Sequence, residues 1–222
     1  MSKTRLLTAA TMGVAGLLLT GCGSATPGVA ARIGDQELTV RQVDTATSHY
    51  CTALGELESE VPMSYVRQFV IQLLALRSQA EQIADEYGVR PGSTYRNDVA
   101  QRQGTAATKP EEVRDDYVEL ASTQAYAQDI LDQVGRIELD ERGIAEPTAE
   151  QVSQAGLDVF NQWPDVNGVE VDPRYGLESV DGQLRPVDTS TSVAVGETAK
   201  AGLATEPDTA FAQSLPQTHR CG

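Results

Sequence analysis

An apolar stripe that recurs at helical spacing between positions 63 and 87 constrains the fold of this chain more than any other feature. A helix turns once in about 3.6 residues, so side chains three or four apart share one face. Pro62 suits the first turn of this helix and Gly88 its C-terminal stop, while Arg77 is a charged exception inside the stripe. The width of the apolar face predicts a helix packed on more than one side. The apolar residues are Met63, Val66, Phe69, Val70, Leu73, Leu74, Leu76, Ala80, Ile83, Ala84 and Tyr87.

Two capping boxes predict the starts of two further helices. Thr39 with Gln42, and Thr148 with Gln151, have the spacing at which a threonine side chain and a later glutamine satisfy each other's backbone N–H groups. Apolar residues follow both boxes at helical spacing. Pro164 is expected to end the second of these helices, because proline disfavours helical backbone in the residue before it.

Two more helices are predicted between these boxes. Pro110 and the two glutamates that follow it favour a helix start, since proline fits the first turn and carboxylates favour the positive end of the helix dipole. The apolar pattern then runs to Gly135, beyond which Ile137 and Leu139 are placed to extend it. A short helix is expected within residues 90–104, where the sequence is more polar.

Short strands are predicted near both ends of the helical region. Residues 29–33 and 37–39 flank a tight turn. Val169 and Val171 alternate with charged residues, which indicates an edge strand. The fold class is therefore mainly α, with short N- and C-terminal strands. Residues 178–222 lack a second hydrophobic period and are expected to form an irregular tail.

The two strand regions resemble the N-terminal chaperone domain of SurA-type and PrsA-type extracytoplasmic foldases. Residues 29–40, followed by Val43 and Asp44, carry the resemblance at one end, and residues 169–176, ending in Pro-Arg-Tyr-Gly, carry it at the other. The resemblance covers residues 29–177. It implies that the first and last strands pair and that the helices form an open cradle for unfolded client segments.

Enzymatic activity is not expected, and no cofactor is implied. Foldases of this kind often carry a parvulin prolyl-isomerase domain, but the residues after Leu177 do not contain the paired histidines of a parvulin site. The sequence has two histidines, His49 and His219, and no zinc-protease, phosphate-loop or nucleophile-elbow motif. Acidic pairs such as Asp115 and Asp116 are typical of a solvated helix face.

The N-terminal sequence resembles a bacterial lipoprotein signal. A basic start precedes an apolar stretch over residues 6–19 that is too short to span a membrane, and small residues precede Cys22. In lipoproteins, a cysteine at this place receives a diacylglyceryl group before cleavage. The resemblance implies a signal peptide over residues 1–21, a lipidated Cys22, a tether over residues 22–28, and a protein anchored at the extracytoplasmic face of the cell membrane.

The charge of the chain disfavours a nucleic-acid partner. The sequence has 32 acidic and 17 basic residues, which gives a net charge of −15 at pH 7. Binding to phosphates depends on clustered Lys and Arg, which this composition does not favour. An acidic surface is also an ordinary way to keep an exported protein soluble.

Two His-x-Cys pairs stand far apart in the sequence, His49 with Cys51 and His219 with Cys221. If Cys22 is lipidated, the two remaining cysteines most simply form a disulfide in an oxidising compartment. That bond would pin the tail to the first helix, and closing so long a loop stabilises by about 5 kcal/mol in the chain-entropy model. A zinc or copper site built from all four side chains is an alternative, although structural zinc sites usually space their ligands more widely. A third possibility is two unpaired cysteines.

The resemblance implies a membrane-anchored holdase that binds unfolded or partly folded exported polypeptides without chemical turnover. The alternative is an accessory lipoprotein that binds one specific cell-envelope partner, and promiscuous affinity for unfolded clients would distinguish the two. Aromatic side chains and methionine adapt to varied apolar partners, although most of them at helical spacing are expected in the core. The candidates for client contact are Met63, Phe69, Tyr87, Tyr117, Tyr126 and Trp163.

Overall fold

The structure is a computed structural model, and within the residues it describes the protein is mainly helical with short antiparallel strands. This confirms the fold class that the sequence predicts. The predicted signal peptide, Cys22 and most of the predicted tether lie outside the described residues. The described residues are 27–55, 60–180, 183–187 and 209–222.

The main helices and strands follow one another in the predicted order, and additional short elements occur at the C-terminal end. The helices are α1 (Val40–Leu54), α2 (Met63–Tyr87), α3 (Ser93–Ala106), α4 (Arg114–Glu141), α5 (Ala149–Asn167) and α6 (Thr209–Ser214). The strands are β1 (Val29–Ile33), β2 (Gln36–Thr39), β3 (Val61–Pro62), β4 (Val169–Val171), β5 (Leu177–Val180), β6 (Gln183–Pro186) and β7 (Arg220–Cys221).

The helix starts and stops follow the local signals in the sequence. Both capping boxes are formed: the Gln42 N–H donates to Thr39 Oγ1 at 3.2 Å, and Thr148 and Gln151 make the same reciprocal pair. Gly88 ends α2 in the left-handed conformation at φ 65°, where a side chain would be strained. Pro62 was predicted in the first turn of α2, but it lies one position earlier, immediately before the helix.

Gly135 does not end α4, which continues to Glu141 as the later apolar residues suggested. Its lack of a side chain lets α5 cross closely instead. A Cβ atom at Gly135 would collide with the backbone carbonyl of Val152, and one at Gly156 would collide with the backbone of Leu131. These two glycines therefore set the separation of α4 and α5.

Pro164 does not end α5, and this prediction was wrong. The helix runs three residues further, to Asn167. A proline inside a helix removes the N–H that would bond the carbonyl four residues earlier, here that of Phe160. The buried side-chain amide of Gln79 donates to this carbonyl at 2.7 Å and replaces the missing bond. A partner on another helix therefore lets α5 continue past its proline.

The three-stranded sheet has the order β2-β1-β4, with all neighbours antiparallel. The first and last strands of the predicted domain therefore pair, as the family resemblance implied, and among the described residues β4 lies at the edge of this sheet. Two smaller sheets are additions that the sequence did not predict. The β5–β6 hairpin follows directly after the Pro173–Tyr175 turn, and β7 pairs with β3.

Helix α2 lies at the centre and packs against α1, α4, α5 and the sheet. Its buried side chains include Ile71 and Ile83, which are fully enclosed together with Ile33 of β1 and Ile130 of α4. Burial on several sides agrees with the wide apolar face in the sequence. This central helix positions the surface described below.

Arg77, the charged exception in the α2 stripe, is held between aromatic rings. Its guanidinium lies 3.6 Å from the ring centroid of Tyr126, and it donates to the Tyr95 hydroxyl at 3.1 Å and to Glu81 at 2.6 Å. Burial acts to lower the pKa of Arg77, but the hydrogen bonds to Tyr95 and Glu81 outweigh it and raise that pKa above its usual value. The charged side chain therefore ties α3 and α4 to α2.

Candidate functional site

An open apolar cavity of about 280 Å³ lies on the surface of α2. Helix α2 supplies the floor, α4, α5 and β4 contribute one residue each, and the β5–β6 hairpin forms the opposite wall. We call this cavity the α2 groove. Its lining residues are Phe69, Gln72, Leu73, Ala75, Leu76, Gln79, Gln124, Phe160, Val169, Gln183 and Leu184.

The apolar floor exists because the apolar face of α2 is wider than its neighbours cover. Phe69, Leu73 and Leu76 follow each other at spacings of four and three, so they line one side of the helix. Leu73 is buried, but Phe69 retains 36% exposure and is one of the large apolar side chains that remain exposed. An exposed phenylalanine over a cavity provides a surface that can bury an apolar side chain of another molecule.

Amide side chains supply the polar groups of the groove, and none of its described lining residues is charged. Gln72 donates to the Leu184 carbonyl at 2.8 Å and fastens the hairpin to α2. Gln124 and Gln183 lie exposed at the rim. Because an amide both donates and accepts, these groups suit contacts with the backbone of a bound polypeptide.

A larger, polar cavity of about 820 Å³ adjoins the α2 groove. It lies between α5, β4 and the hairpin, and it shares Val169 and Gln183 with the groove. Three carboxylates face one guanidinium there, so its net charge is negative. We call it the acidic cleft. Its lining residues are Asp158, Asn161, Gln162, Pro164, Asp165, Gly168, Val169, Glu170, Ser179, Gln183 and Arg185.

Cys51 at the end of α1 and Cys221 in β7 lie at disulfide distance, with Cα atoms 5.5 Å apart. This confirms the predicted pairing. Cys221 is fully buried in a small cluster that includes Leu73, and Arg220 beside it bonds Glu60 at 2.8 Å. The disulfide therefore fastens the last residues of the chain next to the α2 groove.

The alternative metal site is not assembled in the structure. Both of its thiols belong to the disulfide. His49 bonds Asp116 of α4 at 2.5 Å, and His219 is exposed. Over the ranges that the structure describes, no three His, Cys, Asp or Glu side chains come together in a way that could hold a metal ion.

The structure separates the six aromatic and methionine candidates. Phe69 lines the α2 groove, and its ring centroid lies 5.7 Å from that of Tyr50. Tyr126 and Trp163 are core residues at 5% exposure, and the indole N–H of Trp163 donates to Glu86 at 2.9 Å. These two side chains are unavailable to a client.

The remaining three candidates have partners within the fold. The Tyr117 ring stacks on Tyr50 at 6.4 Å, and the Lys109 ammonium lies 4.5 Å from the Tyr117 centroid. Tyr87 donates its hydroxyl to a carboxylate of α4, and Met63 packs on the cluster around Cys221. Of the six, Phe69 is therefore the candidate that the geometry places in an open cavity.

The glutamines and Leu184 of the groove were not among the residues predicted from the sequence. The sequence did contain a signal for the glutamines. Gln72 and Gln79 are seven residues apart, so they lie on the same side of α2, beside its apolar stripe. The hairpin that brings Leu184 into place was not predicted.

The chain was compared as a whole with known proteins. No protein-family model, curated protein or solved structure matches it. Within the described parts of the chain, no helix combines the length and the apolar character needed to cross a membrane.

Proposed function

We propose that this protein is a lipid-anchored extracytoplasmic holdase that binds exposed apolar segments of unfolded exported polypeptides. The observation that carries the proposal is the α2 groove, an open apolar surface with uncharged amide groups at its rim. The lipoprotein-like sequence around Cys22 supports the location. The foldase-like strand regions support the type of client.

The mechanism is transient burial of client side chains without a covalent step. Burial of apolar surface contributes about 25 cal/mol per Å². A cavity of about 280 Å³ can cover only a small apolar area of a client, so the affinity it provides is modest. Modest affinity suits release of the client for folding. A binder of unfolded chains lowers the concentration that is free to aggregate, and this raises the folding yield by mass action.

The acidic surface contributes to the same activity. The net charge of −15 keeps complexes with apolar clients soluble, because like charges repel one another. The acidic cleft beside the groove gives basic client residues a favourable place. Neither cavity is proposed to carry out catalysis.

The test is light scattering by a chemically unfolded client, measured with the chain from residue 22 onward carrying Cys22→Ser. We expect suppression of aggregation at near-stoichiometric amounts, with clients unrelated in sequence. Phe69→Gln should weaken suppression several-fold, because it places a polar group in the groove. Leu157→Gln is the matched control, since Leu157 has a similar exposure, 38% against 36%, but does not line either cavity.

Two outcomes would contradict the proposal. Equal effects of Phe69→Gln and Leu157→Gln would show that the groove is not the contact surface. Lack of suppression with every client, in a protein of unchanged thermal stability, would favour an accessory lipoprotein that binds one specific envelope partner.

A further inference from the structure

The hydrogen bonds between β1 and β4 determine which backbone groups of β4 face outward. Gly34 N–H donates to the Gly168 carbonyl at 2.9 Å, and Asp172 N–H donates to the Ala30 carbonyl at 2.8 Å. In an antiparallel pair, bonded and non-bonded residue pairs alternate along the strands. The two bonds therefore determine which residue pairs between β1 and β4 are hydrogen-bonded and which are not.

In this pattern, two residues of β4 direct their backbone N–H and C=O groups away from β1. Arg32 and Glu170 form the bonded pair midway between the two bonds above, whereas Val169 and Val171 occupy non-bonded positions opposite β1. Their N–H and C=O groups point away from β1. No strand among the described residues pairs with this outer edge.

The outer edge of β4 borders both cavities. Val169 lines the α2 groove and the acidic cleft, and Glu170 lines the cleft. Across the cavities lie Gln183 and Arg185 of β6. The space beside this edge is therefore that of the two cavities, because β5 lies close to part of β4. No described strand forms backbone hydrogen bonds with the edge.

The two faces of β4 differ in chemistry. The side chains of Val169 and Val171 pack against the main core, whereas Glu170 projects from the opposite face and is exposed. In an antiparallel sheet, a residue directly opposite another has its side chain on the same face. A strand added to β4 would therefore present alternate residues to an apolar face and to a charged face, on which Glu170 lies beside Arg32.

We propose that the outer edge of β4 binds an extended polypeptide segment as an antiparallel fourth strand of the β2-β1-β4 sheet, in which apolar residues alternate with Lys or Arg. This inference rests on the proposed function and names the class of client segment. Main-chain hydrogen bonds provide affinity that does not depend on sequence, and the alternate side chains provide selectivity.

Charge complementarity selects a basic partner. Asp158, Asp165 and Glu170 line the cleft, with Arg185 as the opposing charge. A second copy of this chain is disfavoured on the same edge. Antiparallel pairing of two β4 strands about Glu170 would place two like carboxylates opposite each other, which destabilises a sheet.

The first test uses fluorescence polarisation with an unstructured peptide of alternating Val and Lys. The protein is the chain from residue 22 onward with Cys22→Ser. In antiparallel addition, a peptide residue opposite Val169 has its side chain on the apolar face and its N–H directed at β4. N-methylation of the valines should therefore weaken binding by about tenfold or more, whereas N-methylation of the lysines should be tolerated.

The second test probes the acidic cleft. Asp165→Asn should weaken binding of the Val-Lys peptide several-fold and reduce its salt dependence, because one carboxylate near the basic side chains is lost. Glu146→Gln is the matched control, since it removes the same charge from an exposed loop outside both cavities. A peptide of alternating Val and Glu should bind much more weakly than the Val-Lys peptide.

Several results would overturn the inference. If both N-methylation patterns weaken peptide binding equally, or if neither weakens it, strand addition at this edge is excluded. Equal effects of Asp165→Asn and Glu146→Gln exclude the cleft as the site of basic side chains. A dimer of the chain that prevents binding of the Val-Lys peptide would assign the edge to a second copy.

The two proposals can fail separately. If Phe69→Gln abolishes holdase activity while the N-methylated peptides bind alike, the proposed function stands and the edge inference fails. If aggregation is not suppressed but N-methylation of the valines selectively weakens peptide binding, the holdase proposal fails and the edge inference stands.

Discussion

Gln79 donates its side-chain amide to the carbonyl of Phe160 at 2.7 Å, the acceptor that Pro164 leaves without a backbone donor. Gln79 is buried on α2 at 3% exposure, and Phe160 lies on α5. A buried carbonyl without a partner costs free energy comparable to a lost hydrogen bond. This contact therefore explains both the buried glutamine and the continuation of α5 past its proline.

Gln79→Leu should lower the free energy of unfolding by about 1–3 kcal/mol, because it leaves the Phe160 carbonyl unsatisfied. Pro164→Ala restores a backbone N–H that can bond the same carbonyl. The cost of Gln79→Leu should therefore be smaller in the Pro164→Ala background. Urea unfolding of the wild type, both single variants and the double variant measures this coupling, and full additivity would contradict it.

The sequence predicted best those elements whose signals are local. Thr39 and Gln42 are three residues apart, so their reciprocal bonds require nothing beyond the helix they start. The same holds for Thr148 with Gln151. Gly88 likewise ends α2 through its own left-handed backbone conformation, which needs no distant partner. The order of the main helices and strands follows from such signals.

Features that depend on distant residues were not predictable in this way. Pro164 behaves as a helix stop unless a donor reaches Phe160, and that donor is 81 positions away in sequence. The groove depends on a hairpin held by the bond between Gln72 and the carbonyl of Leu184, 112 positions apart. The residue types of these partners carry no signal that pairs them across such separations, whereas cysteine is a residue type that suggested a bond across 170 positions.

Gly135→Ala should destabilise the protein by more than about 3 kcal/mol, because the new methyl group would meet the Val152 backbone, which has no flexible end to move. Gly104→Ala is the matched control on α3, where no atom lies within 4 Å of the added group. Alanine favours helix over glycine by about 0.5–1 kcal/mol, so Gly104→Ala should stabilise. Thermal unfolding of both variants measures these opposite signs, and similar shifts would contradict the close crossing.

The contact between Tyr87 and Glu138 predicts a loss of stability in alkali. Burial of Tyr87, followed by its 2.7 Å hydrogen bond to Glu138 and the nearby negative charge, raises the pKa of Tyr87 from 10.0 to about 12. Since the folded state holds this proton more tightly, the stabilisation is complete below the unfolded pKa of 10.0. It is lost as the pH rises from there to about 12.

Tyr87→Phe removes this contribution. Urea unfolding at about pH 8 and about pH 11 should therefore show a smaller alkaline loss of stability in the variant than in the wild type. The difference in ultraviolet absorbance between the two proteins reports the ionisation of Tyr87 itself. A difference curve with its midpoint near the ordinary tyrosine pKa would contradict the prediction.

The Cys51–Cys221 bond closes a loop with a sequence separation of 170. In the chain-entropy model, a loop of this length contributes about 5 kcal/mol, and native disulfides typically contribute about 2–5 kcal/mol. Cys221→Ser should therefore lower the melting temperature of the protein. Thermal unfolding with and without reductant provides the measurement, and Cys51→Ser/Cys221→Ser is the control because it should not respond to reductant.

Loss of the disulfide should also weaken client binding, because Leu73 belongs both to the buried cluster around Cys221 and to the floor of the α2 groove. When β7 is no longer held against α1, the packing beneath Leu73 loosens and the groove loses its defined shape. Reductant should therefore lower the suppression of aggregation by the wild type but not by Cys51→Ser/Cys221→Ser. Two free thiols in the protein isolated from cells, found by non-reducing mass spectrometry, would show that this link is absent in the cell.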